Sequence, residues 1–410
     1  MRIIYVDVDT LRADHTTPYG YHRPTTPHLR ELADKSVTFD RYYCSDSPCL
    51  PSRTALISGQ FGITNGVIGH VGPAAQFRLD SGHGPEPDRP LLGQWLGWGG
   101  YYTAAVSVFA ERHRAYFFHG NFRESHRATD RFGDEPAEDV NRVAIDWIRR
   151  HAEEEDWYLH VTYWDPHTNY IQPAEWTEKM AATGPVQEWP DEETIAAHAE
   201  IYGPRSALDL RYTLTGSGRS PVPHNMPDAI RSRADFEHLI NGYDGAVHHW
   251  DHHFGRLMAA LEELGIAEET AVIVSADHGE SFGEQGSYAE HGLANEPTHR
   301  LPLILYWPGV TDRLPAEAAA TTPCSTTSTS HPPGATCSAW RHPRAGRASR
   351  SPPPYTARSS SPAPIWSSAT GPTPTSAPSA PGTTSTSAPT IREPFAPSGN
   401  SSSTSPTTRT

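Results

Sequence analysis

Two apolar runs far apart in the chain end alike. RIIYVDV, residues 2–8, leads into Asp9, and AVIVSA, residues 271–276, leads into Asp277 and His278. Short apolar runs of this kind read as buried strands. YYTAAVSVF (101–109), WYLHVTYW (157–164) and LPLILYWPG (301–309) read the same way, and VTFDRYY (37–43) is a further strand-like run. Helical stretches lie between them. Thr26 is placed to cap one that starts at Pro27 and shares Leu29, Leu32 and Ala33 on a face. PSRTALIS is stopped by Gly59, and Pro136 opens a helix with Val140, Val143, Ala144, Trp147 and Ile148 at helical spacing. A later one buries Phe254, Leu257, Met258, Leu261 and Leu264 and ends at Gly265. Strands alternating with helices predict an α/β fold: a largely parallel central sheet flanked by helices.

Open sheets of this class bind ligands beyond the carboxyl ends of their strands. Asp7 and Asp9, Asp165-Pro166-His167, and Asp277-His278 all fall there. An aspartate after a strand is commonly a turn or cap residue. Asp9 and Asp277 together offer hard oxygen ligands from two strands, and His278 adds a nitrogen, which suits a divalent cation. Asp7 shares the strand face of Asp9, where it ligates or orients a ligand. His167 follows a strand in a turn: a surface histidine, or a proton donor to a leaving group. His291 sits in a glycine-containing loop after the Asp-His pair, and His113 in a charged, aromatic loop where a substrate-pocket role and a bland one are evenly matched. The stretch AVHHWDHHF (246–254) reads mainly as a polar helix face, and His22, His28 and His70 have no identifiable partner.

The segment CSDSPCLPSR holds Cys44 and Cys49. Cys49 stands before a helix as a buried thiol, as half of a Cys-x4-Cys pair with Cys44, or as a thiolate in the electropositive niche of a helix start. CLPSR, Cys49 to Arg53, resembles the sulfatase signature Cys-x-Pro-Ser-Arg, in which the cysteine is oxidised to formylglycine by a generating enzyme. VDTLRADHTTPYGYHRPTTPHL (8–29), DPH (165–167), SADHGE (275–280) and THRLPLILYWPG (298–309) resemble further sulfatase segments, in the expected order across residues 1–310. The resemblance implies an alkaline phosphatase-like catalytic domain that hydrolyses a small-molecule or glycan sulfate ester. Formylglycine made from Cys49 is the implied nucleophile. Arg53 and a divalent cation, Ca²⁺ ahead of Mn²⁺ or Mg²⁺, are implied to stabilise the sulfuryl oxygens, with His167 protonating the leaving alcohol. Asp9, Asp277 and His278, with Asp7 less firmly, are the implied metal ligands. The chain departs from the pattern at Thr10, where many sulfatases carry a second aspartate. SVFAERH (107–113) replaces the usual Gly-Lys-Trp-His segment, and His291 stands where a lysine is often found. These departures bear on the substrate and leave a phosphonate or phosphate ester, or an inactive relative, as alternatives.

The formal charge of −15 argues against nonspecific nucleic-acid binding, which needs a basic surface. No signal peptide or membrane span is visible, so the expected location is cytoplasmic, with no membrane partner. Composition changes sharply near Ala318. From there to Thr410 the chain is mostly Ser, Thr, Pro and Ala, with seven Arg, one Glu and no Lys or Asp. A stretch so poor in apolar residues cannot offset its chain entropy by burial. Residues 311–410 are therefore expected to be a low-complexity tail outside the fold. Two readings stay open: a genuine Ser/Thr/Pro-rich linker, which the composition favours, and a shifted reading frame, in which Ser codons conceal Leu, Phe, Ile or Val and Thr codons conceal Asp, Asn, Tyr or His. On the second reading the smaller C-terminal subdomain is missing or scrambled.

Overall fold

The computed structural model describes residues 1–78, 90–131, 133–203, 205–210 and 224–313. The tail from residue 314 onward, and with it the expected fate of the C-terminal subdomain, lies outside them.

Eleven short strands appear among these residues: β1 (Arg2–Val8), β2 (Val37–Thr38), β3 (Tyr42–Tyr43), β4 (Tyr102–Val106), β5 (Glu124–His126), β6 (Trp157–Tyr163), β7 (Thr270–Ala276), β8 (Ser281–Phe282), β9 (Tyr288–Glu290), β10 (Arg300–Leu301) and β11 (Leu303–Tyr306). Seven form the central sheet in the order β2-β11-β7-β1-β6-β4-β5. From β7 to β5 every pairing is parallel, and only the β11 pairings with β7 and β2 are antiparallel. The α/β architecture with a largely parallel sheet is thus the one expected. VTFDRYY is not one strand, however. Its first half joins the central sheet as β2, and its second half, as β3, pairs with β10.

Strand alternation separates two cores. Ile4, Val6 and Val8 of β1, Leu159, Val161 and Tyr163 of β6, and Val272 and Val274 of β7 face one side. There they meet Ala144, Trp147 and Ile148 of the helix Ala137–Arg150 and the apolar side of the long helix Arg233–Glu263. Ala105 of β4 faces the other side, with Leu50 and Ile57 of the helix Cys49–Ser58 and with Phe109, Phe118 and Trp164. Asp7 and Asp9 alternate with Val6 and Val8, so they point toward the helix that begins at Cys49.

The long helix starts far upstream of Phe254. His248, His249, Asp251 and His253 are consequently buried, and of the four histidines in AVHHWDHHF only His252 is exposed. The stretch is therefore not a polar helix face. Trp176 packs against His248, His249 and His252, with ring centroids 5.2–5.4 Å apart. Asp251 accepts hydrogen bonds from His28 N at 3.0 Å and Leu29 N at 2.8 Å. Those are the unpaired N–H groups that open the helix Pro27–Ala33. Thr26 makes no side-chain cap there. Its hydroxyl instead accepts from Thr17 N at 2.8 Å.

Trp250 is fully buried between Tyr163 of the sheet and Phe254. Trp250→Ala is expected to destabilise the fold by about 3–5 kcal/mol, the usual cost of deleting so large a core side chain. Chemical denaturation followed by circular dichroism measures it. Among the described residues, no helix is long and apolar enough to cross a membrane.

Candidate active site

β1 lies between β7 and β6, so Asp9, Asp277 and the Asp165–His167 turn leave the sheet side by side. Two contacts fix the first turn. The Tyr243 hydroxyl from the long helix donates to Thr10 O at 2.7 Å and accepts from Arg12 N at 2.9 Å. Thr10 N donates to Asp277 Oδ1 at 3.2 Å, joining the ends of β1 and β7. Thr10 adopts a φ of 56°, a strained value for a β-branched residue.

Cys49 is the first residue of its helix, and Gly59 ends that helix with a φ of 65°. Ser52 Oγ donates to the Asp277 carbonyl oxygen at 2.6 Å and ties the helix start to the end of β7. Arg53, four residues after Cys49, lies on the same helix face. Its Nε donates to Asp7 Oδ2 at 2.7 Å and its Nη1 to Asp9 Oδ2 at 2.8 Å. Asp277 Oδ2 lies 2.7 Å from the same Nη1. Asp7 completes its shell through His160, whose Nε2 is 3.1 Å away, while the Tyr158 hydroxyl reaches His160 Nδ1 at 3.2 Å.

His278 Nδ1–H donates to the Gly279 carbonyl at 2.9 Å, which leaves Nε2 as the acceptor. That nitrogen lies 3.1 Å from Cys49 Sγ, 3.4 Å from Asp277 Oδ2 and 3.9 Å from Asp9 Oδ1. The ligand atoms of Asp9, Cys49, Asp277 and His278 all fall within 4.8 Å of one another. Asp7 is outside this group. Both its oxygens are bonded to Arg53, so of its two expected roles its contacts describe the orienting one.

The electrostatics of the cluster call for a cation. Three buried carboxylates face one guanidinium, which leaves a surplus of negative charge in a region of low dielectric. Burial pushes the Asp277 carboxyl well up, with Arg53 opposing and Asp9 and Asp7 reinforcing. Burial works on Asp9 in the same direction, but Arg53, His167 and His278 outweigh it and hold Asp9 below the usual carboxylate range. Asp9 Oδ1 is buried and has no hydrogen-bond partner among the described residues. Burial, then the Asp9 and Asp277 charges, push the Cys49 thiol well above its usual range.

A second layer surrounds this cluster. His291 stacks on His278 at 4.6 Å, and its Nδ1 lies 3.4 Å from Glu280 Oε1. Glu280 is fully buried and accepts from the hydroxyls of Thr168 and Tyr170. His167 donates from Nδ1 to Thr168 O, and Arg112 Nη2 lies 3.5 Å from its Nε2. His113 is half-buried beside Phe109, with its ring 4.8 Å from that of His70. His70 Nε2 accepts from Leu50 N at 3.3 Å.

A family model described as Sulfatase matches residues 2–330. The chain belongs to the sulfatase family. It is 22% identical over 355 residues to mouse iduronate 2-sulfatase, covering 77% of this chain and 61% of that protein. It is also 22% identical over 341 residues to a sulfatase of Formosa agariphila, covering 75% and 64%. The chain thus spans less than two thirds of the length of these relatives. In fold it is similar to BT4656, solved in complex with its substrate D-glucosamine-2-N,6-O-disulfate, with a TM-score of 0.60 at 17% identity over 80% of this chain and 74% of that one. The phosphonate monoester hydrolase of Silicibacter pomeroyi gives a TM-score of 0.56 at 23% identity, covering 75% and 68%.

Four residues of this sulfatase-family site escape a reading of the sequence. Glu280 lies three positions after Asp277, so its place after the same strand was a usable signal. His160 alternates along β6 with the apolar Leu159 and Val161, which marks it for the opposite face. His70 lies in a loop and Arg112 in the five-residue helix Phe109–His113, too short for a periodic pattern to place a side chain.

Proposed function

We propose that the chain is a sulfuric ester hydrolase that acts on a sulfated sugar, with a nucleophile made from Cys49. The observation that carries this reading is Cys49 Sγ, 3.1 Å from His278 and inside the Asp9–Asp277 cluster. The sugar is suggested by relatives named for sulfated sugars, such as human N-sulphoglucosamine sulphohydrolase, at 25% identity over 314 residues.

Asp9, Asp277 and His278 would hold a divalent cation. Two carboxylates and one imidazole fit Ca²⁺, Mg²⁺ or Mn²⁺. Once bound, such a cation acts as a Lewis acid toward the sulfuryl oxygens. Formylglycine at position 49, as its hydrate, offers one hydroxyl to attack sulfur and a second to expel sulfate and regenerate the aldehyde.

The remaining work belongs to the side chains. Arg53 is enclosed by carboxylates, so we assign it to holding Asp7 and Asp9 in place rather than to the sulfuryl oxygens. Arg112 is better placed to meet the anionic ester: it lies next to His167 and 4.8 Å over the Trp164 ring. His167 is our candidate to protonate the leaving alcohol. Burial lowers its pKa to about 3 in the free protein, with Asp9 opposing and Arg112 reinforcing. An anionic ester beside it favours the imidazolium form. Glu280 orients His291, which we place beside the same ester.

Steady-state rates on an aryl sulfate, on a 6-O- or N-sulfated glucosamine and on a phenyl phosphonate test the proposal. Sulfate esters are expected to give the higher kcat/KM. A preference for the phosphonate would move the chain to the neighbouring hydrolase class.

The Tyr158–His160–Asp7–Arg53 chain yields a further expectation. His160→Phe keeps the ring stack on Tyr5 but removes the hydrogen bond to Asp7. A loss of about 10–100-fold in kcat is expected, as for other partners that orient metal-site ligands. His160→Gln should recover part of it. Equal rates for both variants and the parent would show that Asp7 needs no such support.

A further inference from the structure

Cys49 belongs to a second cluster that the hydrolase reading does not use. Its sulfur and the ring nitrogens of His70 and His113 lie within 4.8 Å of one another. His113 Nε2 is buried and has no hydrogen-bond partner among the described residues. His70 accepts one long hydrogen bond, 3.3 Å from Leu50 N, and its ring lies beside that of His113. We propose that the chain, while residue 49 is still a cysteine, binds a thiophilic divalent cation such as Zn²⁺ through Cys49, His70 and His113.

The ligand chemistry separates this site from the oxygen-rich one. Asp9 and Asp277 suit hard cations, whereas one thiolate and two imidazoles suit Zn²⁺ and leave a fourth tetrahedral position for water. Around tetrahedral zinc such atoms sit roughly 3.4 Å apart, so any pair near the 4.8 Å limit closes on binding. Both histidines are half-buried, which allows side-chain rotation and gives the ion a way in. Both imidazoles are held in their neutral, ligating form: burial lowers His70 to about 4 and His113 to about 2. The field is mixed, with Arg53 and Arg112 opposing a cation and Asp9 favouring it. The thiolate is therefore the decisive ligand. As the metal–sulfur bond forms, the thiol proton passes to solvent.

Cys49 also lies within reach of His278 and His291. Those two rings are stacked nearly parallel, 16° apart, so their in-plane lone pairs run alongside each other instead of converging. The rings of His70 and His113 are tilted by 49°. The proposal concerns the thiol form alone and is independent of the substrate. Conversion of Cys49 removes the sulfur and leaves two imidazoles, too few for tight binding.

The test uses the full chain made without a generating enzyme, with the Cys49 thiol verified by mass spectrometry. Titration with Co²⁺ is expected to give a thiolate-to-cobalt charge-transfer band that saturates at one equivalent and is displaced by Zn²⁺. Cys49→Ala should abolish the band. His70→Ala and His113→Ala should each weaken Co²⁺ binding by more than about 100-fold, beyond what loss of an outer-shell partner costs. His291→Ala should leave the band intact. Glutamine replaces alanine at either position if the melting curve shows that the alanine variant is unfolded. No band in the folded thiol form, a band that survives both His70 and His113 substitutions, or one lost only in His291→Ala would overturn the proposal.

Discussion

Replacing Cys49 by alanine is expected to lower sulfate-ester turnover on the order of 10⁴-fold or more, the scale seen when a covalent nucleophile is removed. The reason is positional. Cys49 is 1% exposed at the first turn of its helix, against His278 and beside two carboxylates. A plain thiol there is a poor nucleophile, because burial and the Asp9 and Asp277 charges disfavour the thiolate. An aldehyde hydrate brings a second hydroxyl on the same carbon, which can expel sulfate after the first has attacked, and a thiol has no such group. In a preparation made with a formylglycine-generating enzyme, the peptide carrying residue 49 should therefore be about 18 Da lighter than its cysteine form. Cys44 serves as the control. It is buried against the Thr298 carbonyl, 4.0 Å from its sulfur, and Cys44→Ala should stay folded and active. Full activity in a preparation whose Cys49 is wholly thiol would sink this mechanism.

Asp277→Ala should abolish cation binding and turnover together. Asp277 makes three kinds of contact at once: its side chain accepts from Thr10 N, pairs with Arg53 and lies beside His278. Removing the carboxylate takes away a ligand and also relieves the surplus of negative charge that makes the site attractive to a cation. Elemental analysis of the purified variant, followed by calorimetric titration with Ca²⁺, Mg²⁺ and Mn²⁺, measures the loss. Stripping the parent protein with a chelator should give the same inactive state, and adding the cation back should restore it. A metal-free parent with undiminished turnover would rule out a catalytic cation.

Much of the fold was legible along the chain because its signals are local. An apolar run that ends in an aspartate fixes a buried strand and the edge at which its polar residues emerge. β1, β6 and β7 lie within runs read that way, and β4 and β11 lie within apolar runs that carry no aspartate at their ends. Pro27 and Gly59 likewise marked helix ends, since proline's fixed φ and glycine's freedom at positive φ act on single residues. The same locality brought Asp9, Asp277 and His278 forward as candidates at strand ends, whereas the roles expected of Cys49 and Arg53 came from the family resemblance of CLPSR.

Other features had no local signal. VTFDRYY has one continuous strand pattern, yet its halves pair with β11 and β10, partners more than two hundred residues away in sequence. The cap of the helix Pro27–Ala33 comes from Asp251 and not from Thr26, because the long helix crosses the start of the shorter one. Three of the four histidines of AVHHWDHHF, His248, His249 and His253, look polar in one dimension and are buried in three. Arg53 carries the same lesson at the site. The family resemblance aims it at the sulfuryl oxygens, but three carboxylates from two strands converge on its Nε, Nη1 and Nη2. The sequence by itself determined which residues form strands and helices and which polar groups reach the sheet edge, since backbone preference and apolar period are properties of neighbours. Only the tertiary structure decided what each of those groups touches, because charge pairing and desolvation depend on distances between residues that the chain keeps far apart.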